Sequence, residues 1–281
     1  MTVGVVVATR NRRTTLLRTL DHLAALPGRP PVVVVDNGSS DATPDAVRGR
    51  HPRVRLLELG ENLGAAARNR GVEALDAPLV AFCDDDSWWW KGALEQAEEI
   101  FDAHPGVALV AGRVLFGADR RLDPTSAAMA RSPLPQLGAL PRVLGFLACA
   151  AVVRRRAFLE AGGFHGRLGV GGEEELLAID LRRRGWDLVY AENAVAEHQP
   201  PPRSRSSERI RRQLRNALWV SWLRRGAPSA LSASARVLAS ARPRDATSAL
   251  AMALGGAGWV LRERRPVPAD LERELALVGR D

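Results

Sequence analysis

Along the first hundred residues, short unbroken apolar runs alternate with longer segments whose apolar positions fall at helical spacing. Residues 3–8 (VGVVVA) form a valine-rich run of strand length, followed by the polar turn TRNR. TTLLRTLDHLAAL then places Leu16, Leu17, Leu20 and Leu23 on one helical face, and Gly28, Pro30 and Pro31 stop the helix. The pattern recurs with a strand at 32–36 (VVVVD), the turn NGSSD, a short helix near 44–50 and a third strand at 54–59. A loop into a helix at 62–75, a fourth strand at 79–83 (LVAFC) and a helix over 90–104 complete it. Continuous apolar strands alternating with amphipathic helices predict βαβ units and a mostly parallel sheet covered on both faces. The strand ends are polar (TRNR, DNGSSD, DDDS), and open parallel sheets bind ligands at the carboxyl ends of their strands.

The second half reads differently. Residues 107–116 and 144–155 (LGFLACAAVVRR) are expected as longer strands, separated by a Pro- and Ala-rich loop at 120–142. A glycine-rich loop, AGGFHGRLGVGGEEE, leads into the helix ELLAIDLRRRG, and WDLVYAENAVAEH is expected as two short strands. From about Glu208 the chain reads as helical and basic to Arg225, then Ala-rich to its end. This divides it into a domain at 1–200 and a mainly helical extension at 201–281. Within the domain, about 1–104 and about 105–200 form two halves, the first of which reads as a ligand-binding half-domain.

Composition changes this picture in two places. The 281 residues carry a net charge of +8, but residues 203–225 hold eight arginines against Glu208, which is +7 of that total. The basicity is therefore local. It leaves a nucleic-acid-binding alternative resting on that cluster alone, and that alternative explains none of the acidic motifs. Ile210, Leu214, Leu218 and Trp222 recur at i+4 steps there, so 208–225 is either a peripheral membrane contact or a helix packed on the domain. Two cysteines, Cys83 and Cys149, sit in apolar runs and read as buried thiols of a reducing cytosol. The opening run lacks a basic segment before it, and 246–261 falls short of the roughly 18 apolar residues of a membrane span.

The stretch VAFCDDDSWWW, residues 80–90, sets Asp84, Asp85 and Asp86 side by side, where each raises the cost of ionising its neighbours. A bound cation or plain solvation has to compensate. VVVATRNR, VVVVDNGSSD, ENLGAAARNRG, VAFCDDDSWW, AGGF and GGEEELLAIDLRRRGW, in this order, resemble the inverting family 2 nucleotide-sugar glycosyltransferases of GT-A fold over roughly residues 2–200.

The resemblance implies a GT-A-type, Rossmann-like α/β domain that moves a sugar from a nucleoside diphosphate sugar to a hydroxyl of a glycan, a lipid-linked molecule or a small molecule. Such work suits polysaccharide and cell-envelope biosynthesis, in the cytoplasm or at the inner face of the membrane. It implies a divalent cation, Mn2+ or Mg2+, at an Asp-x-Asp site, here Asp84 and Asp86, with Asp86 the first choice for direct ligand and Asp85 directed toward the donor sugar or ribose. Asp36 matches the family position that hydrogen-bonds the nucleotide base, with Thr9 and Asn11, flanked by Arg10 and Arg12, lining the same pocket. Arg68, followed by Asn69, matches an arginine that helps hold the diphosphate or nucleotide. His198 stands where many relatives complete the metal or diphosphate site, and Arg203 and Arg205 are candidates to close over the diphosphate.

The single displacement of an inverting transfer needs a base for the acceptor hydroxyl's proton. Counting back from Gly185 along the family's GEDxDL…R…G text puts Glu173 and Glu174 on its acidic pair, with Glu174 at the base position. This chain has Glu for the Asp and Leu176 for the second Asp, so the choice between the two glutamates stays open. Of Trp88, Trp89 and Trp90, one is a candidate to stack on sugar or acceptor while the others pack the following helix. A nucleotidyltransferase on a similar fold would want a glycine- and lysine-bearing phosphate loop after the first strand, and TRNRRTT has neither residue.

Overall fold

The computed structural model describes residues 2–200 and 206–279. In chain order the elements are β1 (Val3–Thr9), α1 (Arg13–Ala24), β2 (Val32–Asp36), α2 (Thr43–Arg50), β3 (Arg55–Glu58), a 3-10 turn (Gly64–Ala66), α3 (Ala67–Ala74), β4 (Leu79–Asp84), β5 (Ser87–Trp89) and α4 (Ala93–Ala103). There follow β6 (Val107–Phe116), β7 (Arg121–Leu122), α5 (Pro124–Ala130), a second 3-10 turn (Ala148–Ala150), β8 (Ala151–Arg154), α6 (Arg155–Ala161), α7 (Glu173–Arg183) and β9 (Asp187–His198). The extension comprises α8 (Ser207–Arg224), α9 (Ala227–Ala239), α10 (Pro243–Gly255), α11 (Ala257–Glu263) and α12 (Ala269–Val278).

The strands form one sheet in the order β3-β2-β1-β4-β8-β6-β9-β5, with β7 on β6. It is parallel through β3-β2-β1-β4 and again at β6-β9, and mixed where β8 pairs antiparallel with both β4 and β6. Alternation along β1 assigns the faces. Val5 and Val7 pack with Leu16 and Leu20 of α1 and Phe101 of α4, while Val6 packs with Val72 of α3 and Leu177 of α7. Register sets Thr9 beside Asp36 and Ala8 beside Asp84, so the polar ends of β1, β2 and β4 share one edge.

Two local expectations are corrected, and one element is new. WDLVYAENAVAEH is one strand, β9, because the irregularity between Ala191 and Val195 is absorbed as a bulge against β6. Gly112 makes this possible: a Cβ there would collide with the Ala194 carbonyl and sit 2.9 Å from the Trp89 ring. In LGFLACAAVVRR only 151–154 is strand, preceded by the 3-10 turn. SWW, to which the sequence assigned no element, is the short strand β5.

α7 lies between two layers. Leu177 and Leu181 face the sheet, while Leu176 and Ile179 join a third core with Leu218, Trp219 and Leu223 of α8, Trp259 of α11 and Leu271 of α12. α8 is therefore bound to the helix that carries Glu173 and Glu174.

Candidate active site

Asp84 is the last residue of β4, and a tight turn returns the chain as β5. The Ser87 hydroxyl accepts the Asp84 N–H at 2.8 Å and itself donates to the Cys149 carbonyl at 3.3 Å. Antiparallel pairing then sets Ser87 opposite His198, and the Gln199 N–H donates to the Asp86 carbonyl at 2.9 Å. Asp84, Asp86 and His198 consequently each offer one ligand atom, all within 4.8 Å of one another. Two carboxylates and an imidazole make an oxygen-rich donor set that fits Mn2+ or Mg2+, with coordination positions left for further oxygen ligands.

The neighbouring charges explain how three consecutive aspartates can coexist. Arg12 reaches across from the start of α1, with Nη2 2.9 Å from Asp86 and Nε 3.4 Å from Asp85. Asp85 is held by β1 and α1: it accepts from the Thr9 hydroxyl at 2.9 Å, and its backbone carbonyl accepts from Thr19 at 3.0 Å. Burial pushes the Asp85 carboxyl up to about 7 against the pull of Arg12, with Asp86 adding to the rise. For Asp86 burial also opposes ionisation, but hydrogen bonds from His198 (Nε2 at 3.2 Å) and Arg12 outweigh it and lower the pKa. Burial works against a charged His198 as well, and Asp86 overrides it, raising the imidazole. His198 Nδ1 lies 4.0 Å from the Cys149 sulfur, leaving Nε2 for the site.

On the opposite side, Arg68 of α3 is ion-paired with Asp84. Burial disfavours its charge, but Asp84, Glu173 and Glu174 together hold it protonated. Glu173 and Glu174 open α7, entered through Gly172 at φ +86, where a side chain would be strained. Glu174 Oε1 accepts the Ala148 N–H at 2.7 Å. Burial, then the charge of Glu173, pushes its carboxyl up to about 8. Glu173 is buried, which raises it too, and its Oε2 and the Arg68 Nε find no hydrogen-bond partner among the described residues.

The remaining candidates sit at the same edge of the sheet but are engaged locally. Asp36 accepts the Ser39 N–H at 2.9 Å on one oxygen and the Ser39 hydroxyl on the other. Asn11, at φ +53, accepts the Ser40 N–H at 2.8 Å, tying the β1–α1 turn to the β2–α2 turn. Thr9 serves Asp85, and Asn69 clamps the Phe164 backbone with two bonds of 2.9 Å. Trp88 stacks on His22 of α1 at 4.0 Å, Trp89 donates to the Phe82 carbonyl, and Trp90 remains 37% exposed beside Glu197 and Arg120. Trp88 and Trp89 share a core with Ala93, Leu94 and Ala97 of the following helix, as expected for two of the three indoles. Arg203 and Arg205 lie outside the described residues.

Residues that the sequence did not place at the site include Ala148, Cys149, read there only as a buried thiol, and the buried Glu197, which binds Trp90, Arg120 and Gln199. Arg12 was expected in the pocket wall but acts as the clamp of two aspartates. A lone acid inside the apolar stretch AVAEH was the available signal for Glu197.

Five of the eight arginines of the basic cluster have partners within the chain, some buried and some at the surface. Arg211 pairs with Asp245, Arg212 with Glu208, Arg224 with Asp180 and Arg225 with Glu272, while Arg215 stacks on Trp219 at 4.1 Å. The nucleic-acid alternative loses its footing there. The apolar stripe of α8 is likewise turned inward, with Leu218 fully buried and Ile210, Leu214 and Trp222 partly so.

Residues 4–162 match the family model described as Glycosyl transferase family 2. Validoxylamine A glucosyltransferase of Streptomyces hygroscopicus subsp. limoneus is 36% identical over 148 residues, 49% of this chain and 30% of that protein. The chain thus spans less than a third of that relative's length. The N-acetylglucosaminyl-diphospho-decaprenol L-rhamnosyltransferase of Mycobacterium tuberculosis (strain ATCC 25618 / H37Rv) is 29% identical over 230 residues, 69% of this chain and 75% of that protein. Among solved structures, the mannosyltransferase PcManGT from Pyrobaculum calidifontis, in complex with GDP-Man and Mn2+, superposes at a TM-score of 0.59. It is 22% identical, covering 99% of this chain and 84% of that one, a likeness of fold.

Proposed function

The chain belongs to glycosyl transferase family 2, and from that premise we propose that it is a metal-dependent inverting enzyme using a nucleoside diphosphate sugar. The convergence of Asp84, Asp86 and His198 at the carboxyl edge of the sheet, facing Arg68 and Glu174, carries this reading. Asp84, Asp86 and His198 are the residues that would hold Mn2+ or Mg2+. When bound, the cation supplies Lewis-acid stabilisation of the departing diphosphate.

The chain's own residues divide the rest of the work. Arg12 orients Asp86 and offsets the charge of the aspartate run. Arg68 presents a permanent cation toward the diphosphate, and its unpartnered Nε and the unpartnered Glu173 Oε2 are groups that a bound substrate would satisfy. Glu174 takes the acceptor hydroxyl's proton. Its Oε1 is held by Ala148, which leaves Oε2 to receive it. Asp36, Thr9 and Asn11 shape the nucleotide side, with Asp36 exchanging Ser39 for the base on binding and Asp85 set toward the sugar or ribose.

The acceptor is a hydroxyl of a glycan, a lipid-linked molecule or a small molecule; the mycobacterial relative is named for a lipid-linked diphosphate and the Streptomyces one for a small molecule. We place the work in the cytoplasm or at the inner membrane face. Among the described residues no helix is long and apolar enough to cross a membrane. Contact through 208–225 would rest on outward arginines such as Arg209, since the apolar stripe is packed inward.

The test is release of nucleoside diphosphate from a panel of UDP-, GDP- and dTDP-sugars in the presence of Mn2+. One donor class should be consumed, and Asp86→Ala should abolish the release. No release from any donor, with candidate acceptors present, would overturn the reading.

A further inference from the structure

Asn216 sits in the middle of α8 and is fully buried. Asn is a poor helix former and costly to bury unless its bonds are made, so its position calls for a reason. Its Nδ2 donates to the carbonyls of Leu168 at 2.8 Å and Gly171 at 2.5 Å, with Val170 at 3.4 Å. Its Oδ1 accepts from Arg215 Nε at 3.0 Å and Nη2 at 2.7 Å. The amide's hydrogen-bonding capacity is filled, and its donors all go to one loop.

That loop ends where α7 begins. Gly169, Gly171 and Gly172 adopt φ of +70, +94 and +86, and glycines in such runs have wide conformational freedom unless something fixes them. α8 does so at contact distance: a Cβ on Gly171 would lie 3.1 Å from Gln213, and one on Gly172 would lie 3.3 Å from the Asn216 Cβ. From the far side the Ala65 N–H donates to the Gly169 carbonyl at 2.8 Å. Further along α7, Asp180 takes a two-pronged bond from Arg224 of α8, at 2.6 and 2.7 Å.

We propose that Asn216 is a positioning residue, fixing loop 168–172 and through it the first turn of α7, so that Glu174 meets the acceptor hydroxyl in a productive geometry. The inference rests on the glycosyltransferase reading and on Glu174 as its base. Helix α8 is thereby a working part of the site as well as its cover.

The test uses the full chain with Asn216→Asp. This variant keeps the volume, removes the donors and places a carboxylate beside Arg215, which can pair with it, so the fold should persist. The expected result is amide exchange over 168–174 faster by about tenfold, unchanged affinity for donor, and kcat lowered about tenfold or more, since misplacement on the ångström scale can cost up to about a hundredfold. In a Glu174→Gln background the same change should have no further effect on residual turnover. If Asn216→Asp fails to fold, Asn216→Ser, which keeps one hydroxyl donor, should give an intermediate rise in exchange and an intermediate loss of kcat. Unchanged exchange at 168–174, or an equal loss of kcat in both backgrounds, would overturn the inference. If the wild-type chain consumes no donor, the glycosyltransferase reading fails by itself, and the exchange comparison still decides whether Asn216 holds the loop.

Discussion

Glu174 Oε1 accepts the N–H of Ala148 at 2.7 Å, and the next residue, Cys149, touches His198 through its sulfur and Ser87 through its carbonyl. The short turn Ala148–Ala150 therefore ties the candidate base to the candidate metal ligands.

Glu174→Gln should preserve the Ala148 bond, because the side-chain amide keeps an oxygen, while removing the proton acceptor. Turnover should fall by about 10²–10⁴-fold, the usual worth of a general base. Donor affinity, read by calorimetry, should stay the same. Glu173→Gln should cost less; the reverse order would move the base to Glu173.

The carboxyl of Glu174, pushed up to about 8 by burial and Glu173, must be ionised to act, so turnover should rise with pH toward that value. The same shift destabilises the folded metal-free protein as pH rises, because the folded state binds the proton more tightly than the unfolded chain between its ordinary value of 4.5 and about 8. His198 acts in the same direction: its raised pKa contributes stability at low pH that is lost as the imidazole deprotonates. The melting temperature of metal-free protein should therefore be lower at about pH 8.5 than at about pH 6. Mn2+ should raise it more at the higher pH, since ligation needs a neutral imidazole and ionised carboxylates. Burial lowers His22 and His51, which work against this trend, so the Glu174 part is read by comparison: a fall in melting temperature that is unchanged in Glu174→Gln would contradict its assignment.

Arg224 and Asp180 are both buried, with side chains 9% and 10% exposed. Arg224→Ala leaves the buried Asp180 carboxylate with only the longer Arg183 pair, at 3.6 Å, and should cost about 3 kcal/mol, the low end for breaking a buried pair, measured by urea unfolding. Replacing both partners by leucine should cost less.

Gly64 and Gly28 make a matched pair for the loop contact. Both have positive φ, but a Cβ on Gly64 would lie 2.9 Å from the Gly169 backbone, while one on Gly28 meets nothing within 4 Å. Gly28→Ala should cost roughly 1–2 kcal/mol of left-handed strain. Gly64→Ala should cost clearly more and speed amide exchange at 168–172.

Unbroken apolar runs, valine-rich in β1 and β2, made β1, β2 and β4 readable, because a strand buried on both faces has few alternatives to continuous apolar text, and their polar ends located the aspartates. β5 was hidden because its residues lie inside the motif and are too few to show a period. β9 was read as two strands because Glu192 and Asn193 look like a turn, whereas tertiary packing around Gly112 makes them a bulge. Asn216 and the clamp role of Arg12 were not legible: their partners lie 48 and 74 positions away, and no local pattern encodes such contacts. The α8 stripe left a packing face and a membrane face both open, and the neighbouring helices decide that it packs.

The most direct measurement is a tryptophan-fluorescence titration of the purified chain with UDP, GDP, dTDP and CMP, with and without Mn2+. Trp88, Trp89 and Trp90 follow Asp86 in the chain, so binding at the site should be read there. The account predicts saturation by one nucleoside diphosphate that requires Mn2+ and disappears in Asp86→Ala. No response to any nucleotide, or saturation indifferent to both Mn2+ and Asp86, would contradict it.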